Sequence, residues 1–276
     1  MSDNSRMARY HSADQPAPQQ PPKGSQPTYQ RRPALARWVA ILVLLLTLTL
    51  GLKITVFNAN YTAGVVSRST TGQKVINQLN NELESIGISG NPVTSGIAQP
   101  YLAQGVAQLY GESATTTVDS TALANAMSAQ AQTVGVTVTS TMTAAIAKEA
   151  RQAAKAAFTT PAMTQASAKI QKLKRLNFLI LMGSLLLALV TAIYAFSVHH
   201  VMGSLGPGMT LGGLLTGLLG AAGYYFLPLV VPTASATVTN LVTTVGRSGL
   251  EVVIFAGVVE IVLGLLIMLG HRTFRK

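Results

Sequence analysis

The sequence of 276 residues contains no cysteine. Disulfides, thiolate metal sites and a cysteine nucleophile are therefore excluded. Charge is also scarce. Only 11% of the residues are charged, against about 25% in an ordinary soluble domain. Acidic residues are the rarer kind, 9 against 20 Lys and Arg. No P-loop, G-x-S-x-G, H-E-x-x-H or G-x-G-x-x-G pattern occurs. The four histidines are His11, His199, His200 and His271, so none lies between residues 58 and 175. The sequence thus offers no nucleophile–base pair and no cluster of metal ligands. It reads as non-enzymatic, with no catalytic residue, cofactor or metal expected.

What is present is apolar, 49% of all residues. Charge is nearly missing from four blocks, with Lys53 and Glu260 the exceptions. Each block is close to the roughly 20 residues that a helix needs to cross a bilayer core about 30 Å thick. They are 38–57 (WVAILVLLLTLTLGLKITVF), 176–198, 209–231 and 252–270. The first follows a tail too long for a signal-peptide n-region, is longer than an h-region, and lacks an A-x-A site after it. It is expected to be an uncleaved anchor. The predicted class is an all-α integral membrane protein with four transmembrane helices and a helical extracytoplasmic domain at 58–175.

The formal net charge of +11 does not point to nucleic acid. The cations flank the apolar blocks: Arg31, Arg32 and Arg37, then Lys172, Lys174 and Arg175, then Arg272, Arg275 and Lys276. That is how membrane flanks meet anionic headgroups, and membrane lipids are the expected surroundings. Counting Lys and Arg on the short segments puts both tails, 1–37 and 271–276, in the cytoplasm of a cell-membrane protein. The connection 199–208 is then cytoplasmic and 232–251 extracytoplasmic. Lys169 to Arg175 run against the count, but long segments cross largely regardless of charge. The Pro-, Gln- and Ser-rich first 33 residues cannot bury enough surface to offset their ordering entropy and should be disordered. Pro18-Gln19-Gln20-Pro21 is formally a PxxP ligand within this solvated tail.

Between spans one and two, Val75, Ile76, Leu79, Leu83 and Ile86 recur at helical spacing. Gly87 should stop that helix in a left-handed cap, and Ser89-Gly90-Asn91-Pro92 should turn the chain. Further helices are expected at Ser95 to Tyr110, after a cap at Asp119 or Ser120 through Val134, and from Thr141 to Phe158. A last one from Ala162 should continue into span two. Ser85-Ile86-Gly87-Ile88-Ser89 resembles Thr133-Val134-Gly135-Val136-Thr137, which hints at a duplicated hairpin. Bulky apolar residues are sparse here, so the domain should be marginal alone. A second copy or another protein would complete its core.

Glu260 stands near the middle of span four. A carboxyl there costs at least about 2.5 kcal/mol on insertion scales, so its role has to be accounted for. Nothing basic lies at matching depth. Thr47 does, and Thr216 and Tyr224 are expected within about a turn, so a neutral, hydrogen-bonded carboxyl is predicted. Arg247 and Glu251 should pair at i, i+4. His199 and His200 point apart on a helix and suit interfacial anchoring better than metal binding. Span three carries Gly208, Gly212, Gly213, Gly217, Gly220 and Gly223 at spacings that let helix backbones approach closely, within the chain or to a partner.

No motif assigns a family. In layout alone the chain resembles the permease-like subunits that couple ATPases to cell-wall hydrolases. The expected function is that of a cell-envelope membrane protein. Its outer domain would bind a protein partner or self-associate, together with the Gly-rich third span, and its spans would serve as anchor or relay. The alternative is a small transporter or channel component that uses Glu260.

Overall fold

A computed structural model describes residues 33–112, 118–197, 201–230 and 235–273. Among them every regular element is an α-helix, and four helices are long and apolar enough to cross a membrane. The segment 1–32 lies outside the described residues. So do His199 and His200, and residues 113–117.

Helix α1 (Pro33–Ile54) is the first span. It begins earlier than the hydropathy suggests, because proline fits the first helical position, where its missing N–H is not needed. Asn58 then starts a short helix that periodicity does not reveal, α2 (Ala59–Ser67), by accepting from the backbone N–H groups of Asn60 and Tyr61. Helix α3 (Thr70–Ser85) is capped by Ser69. It ends as the sequence suggests. Gly87 takes φ +89°, and the N–H groups of Gly87 and Ile88 return to the carbonyls of Glu84 and Leu83. Ile88 and Leu83 are both fully buried beside this turn.

Helix α4 (Ser95–Leu109) follows, with Pro100 in its second turn. Asn80 clamps the preceding loop, donating to the Val93 carbonyl at 3.1 Å and accepting from its N–H at 2.9 Å. Before α5 (Thr121–Val134), Asp119 rather than Ser120 does the capping and accepts from the Thr121 hydroxyl and N–H. These bonds hold the Asp119 carboxyl below the usual carboxylate range. Gly135 (φ +73°) closes α5 with the same five-residue return, Val136 to Ala131, that closes α3 at Ile88 to Leu83. The two similar pentapeptides are thus two copies of one helix-ending turn.

Helix α6 (Ser140–Phe158) lays Ile146, Ala147, Ala150, Ala154 and Phe158 on the core. Its alanines let α4 come close: a Cβ on Gly105 would stand 2.9 Å from the Ala154 carbonyl oxygen. Helix α7 (Pro161–Ser197) continues from this domain into the second span. Helix α8 (Val201–Val230) is the third and passes through Pro207 and Pro228. Helix α9 (Ala236–Thr273) is the fourth.

The length of α9 corrects the sequence reading most. Its 38 residues make a rod of about 57 Å, far more than the bilayer core needs. The connection expected at 232–251 is helical from Ala236 onward. Val238, Leu241 and Val245 from this extra length are buried in the same core as Leu79, Leu102 and Met127. Part of the bulk that 58–175 lacks is therefore supplied by the chain itself. Tyr61 ties α2 to the same helix through the Ser248 carbonyl and hydroxyl, at 3.1 and 2.7 Å.

Candidate functional site

Helices α1, α8 and α9 pack tightly through glycine. On α8, Gly208 and Gly212 meet α1. A Cβ on either would fall within 3.2 Å of the carbonyl oxygens of Ala36 and Ala40, respectively. The opposite side of α8 meets α9. A Cβ on Gly213 would lie 2.5 Å from the Gly257 carbonyl oxygen, and one on Gly257 would lie 2.8 Å from that of Gly213. Gly264 faces the Gly206 carbonyl oxygen in the same way, also at 2.8 Å. Gly220 and Gly223 face the side chains of Ile254 and Leu250. Gly217 contributes its backbone, which a Cβ on Gly257 would strike at 2.9 Å, while its own Cβ position is open. The contacts pair 208 with 39 and 212 with 43, so α1 and α8 run parallel. They pair 206 with 264 and 213 with 257, so α9 runs antiparallel to α8.

Glu260 sits inside this junction. Gly213 lies against its Cβ. The Thr47 hydroxyl of α1 donates to its Oε1. Thr47 is three residues past the centre of the apolar stretch Ala34–Ile54, or about 5 Å along the axis. The carboxyl is therefore near the mid-plane of any bilayer that α1 crosses. Its Oε2 is buried beside the hydroxyl of neighbouring Thr216, which is fully buried. The Thr216 hydroxyl on α8 can donate to this oxygen on α9, or accept from it if the carboxyl carries its proton.

Tyr224 is not part of the site. Its ring lies under the Arg247 guanidinium at 5.1 Å, and Arg247 is about 20 Å along α9 from Glu260. The glycines set this register: with Gly213 seated on Gly257, the later turns of α8 meet the early turns of α9. Arg247 accordingly stacks on an aromatic face, and no ion pair with Glu251 is formed.

Helix α7 stands to one side. Asn177, Leu181 and Ser184 are its buried stripe, and Asn177 donates to the Thr49 carbonyl of α1 at 3.0 Å. Most of its other apolar residues, from Leu176 to Phe196, are exposed.

The helical domain between the first two spans carries two further features. Lys148, Arg151 and Lys155 line a cavity of about 250 Å³ against Gln104 and Gln108. Near it Tyr101 is buried, and burial pushes its phenol up, with Arg151 opposing. At the membrane end, the Tyr110 hydroxyl donates to the Val56 carbonyl at 2.5 Å and shares a hydrogen bond with Thr62 at 2.8 Å. Burial holds this phenol up at about 12. The Asn80, Asn177 and Tyr110 clamps escape the sequence because each joins residues on different elements. No group of three or more potential metal ligands occurs among the described residues.

Comparisons with protein-family models, curated proteins and solved structures found no match.

Proposed function

We propose that this is a non-enzymatic cell-envelope membrane protein whose outer helical domain binds a partner and whose spans anchor that domain and move with it. The observation that carries this reading is the continuity of α7 and α9. Each crosses the membrane and then contributes side chains to the domain, Met163 from α7 and Val238, Leu241 and Val245 from α9. A partner bound to the domain thereby acts on the spans without an intervening hinge. On the Lys and Arg count both termini are cytoplasmic and the domain extracytoplasmic. Ser89→Cys, at an exposed turn, should react with an impermeant thiol reagent on intact cells, and Thr273→Cys should not. The reverse pattern would invert the topology.

The second reading, a small transporter or channel component, is favoured by one observation: the Glu260 carboxyl lies among the membrane-spanning helices with the Thr47 and Thr216 hydroxyls beside it and no ion-pair partner among the described residues. Two substitutions separate the readings. As a packing group, Glu260→Gln should be nearly silent, because the amide still accepts from Thr47 and can now donate to Thr216. Glu260→Leu should cost only about 1–2 kcal/mol. The freed threonines can bond their own helix carbonyls, as Thr49 does to Leu45 at 2.6 Å. A proton or ion site needs a group that changes charge. Both variants would then abolish function at normal abundance. Surface abundance and phenotype, measured side by side, decide between them.

A further inference from the structure

Where α1 ends and α7 approaches the membrane, a cavity of about 380 Å³ opens between them. Its size is within the range of small-molecule sites, about 300–1,000 Å³. Lys53, Phe57 and Asn58 line it from the end of α1 and the start of α2. Glu112 lines it from the domain, and Lys174 and Phe178 from α7.

Depth decides what this cavity meets. Lys53 is nine residues beyond the centre of the apolar stretch Ala34–Ile54, or about 14 Å along the axis. The hydrocarbon half-thickness is about 15 Å. The cavity therefore lies at the level of lipid phosphates, on whichever side of the membrane the domain stands.

Its chemistry is that of a phosphate site with an apolar wall. Lys174 is held in place twice, by an ion pair with Glu112 and by the Tyr110 ring 5.6 Å from its ammonium. Lys53 has no ion-pair partner among the described residues. The side-chain oxygen of Asn58 is spent on capping α2, which leaves its amide hydrogens as donors. Two ammonium groups and one carboxylate leave the cavity with a net charge of +1. One phosphodiester, with charge −1, balances it. A zwitterionic headgroup does not. Phe57 and Phe178 suit the glycerol and upper acyl region of the same molecule.

We infer that this cavity is a binding site for one anionic phospholipid with an uncharged polyol headgroup, its phosphate held by Lys53 and Lys174. The inference rests on the membrane placement of α1 and α7 and not on the partner-binding reading. Native mass spectrometry of the full-length protein, equilibrated with equal phosphatidylglycerol and phosphatidylcholine, tests it. The wild type should retain one phosphatidylglycerol in preference to phosphatidylcholine. Lys53→Gln should lower that retention about tenfold, the loss of one charge-assisted hydrogen bond. Lys169→Gln, outside the cavity, should leave it unchanged. Lys53 is exposed, so its variant should keep the helix content of the wild type. Equal retention of both lipids, or an undiminished Lys53→Gln, would overturn the inference. So would equal losses in the two variants, which would indicate only general surface charge. Soluble glycerol phosphate that displaces the lipid at equal concentration would reassign the cavity to a free phosphate ester.

Discussion

Gly213→Val is expected to remove about 3 kcal/mol from the stability of the membrane bundle. In lipid there is no hydrophobic drive between helices, so the contact depends on close packing and on hydrogen bonds. The valine Cβ would be 2.5 Å from the Gly257 carbonyl oxygen and 2.9 Å from the Ile261 nitrogen. These are backbone atoms, which cannot rotate aside, so the helices must separate. Separation also breaks the Thr47–Glu260 bond that spans the same junction. Gly257→Val should behave alike, for the same carbonyl-to-Cβ reason seen from the other helix. Gly217→Ala is the control, since a Cβ there meets no atom within 4 Å. The folded fraction of the full-length protein across a detergent-denaturant titration is the measurement. Wild-type stability of both valine variants would show that α8 and α9 do not meet in this register.

The second large effect is expected at Leu241. Its side chain is 5% exposed and lies in the core of the helical domain that follows α1, although it belongs to the fourth span's helix. Truncation of a buried leucine costs about 2–5 kcal/mol, and an unpaired carboxylate in its place costs more. Leu241→Asp should therefore open this helical domain to limited proteolysis while the spans stay protected. Asn240→Asp, one residue away and exposed, should do neither. If the domain resists protease equally in both, α9 is not part of its core. By the same argument the isolated segment 58–175 should be helical by circular dichroism but melt broadly or self-associate. It has lost Val238, Leu241 and Val245, and α6 offers mostly alanine in their place.

Local patterns in the sequence carried much of the fold. The four apolar runs mark the spans because a bilayer sets their length. The spacing of Val75, Leu79 and Leu83 marks α3, and Gly87 marks its end, because both depend on residues within a turn of each other. The Thr47–Glu260 contact was also legible, since depth in the membrane can be counted along each span. What the sequence hid is non-local. Tyr224 was misplaced because the register of α8 on α9 is set by which glycines meet, and several registers satisfy the same spacing. The first turns of α9 looked like a loop because Ala236 to Ser248 is rich in threonine and only modestly apolar. Its helical state follows from packing Val238, Leu241 and Val245 against a domain some 100 residues earlier in the chain. Helix α2 was missed because its nine residues carry no strong stripe and owe their start to one asparagine cap.

The central proposal, a partner-binding outer domain joined rigidly to its spans, is tested most directly by crosslinking on intact cells. A photoreactive amino acid is placed at Gln152, exposed on α6, and separately at Phe226, exposed on α8. The proposal predicts a discrete protein adduct from Gln152, of one size in repeated experiments, that is retained when Glu260 is changed to Gln. Phe226 should yield lipid adducts alone. An outer domain that gives no protein adduct from any exposed position, in cells where Glu260→Gln abolishes the phenotype at normal abundance, would contradict the proposal and leave transport through the spans as the function.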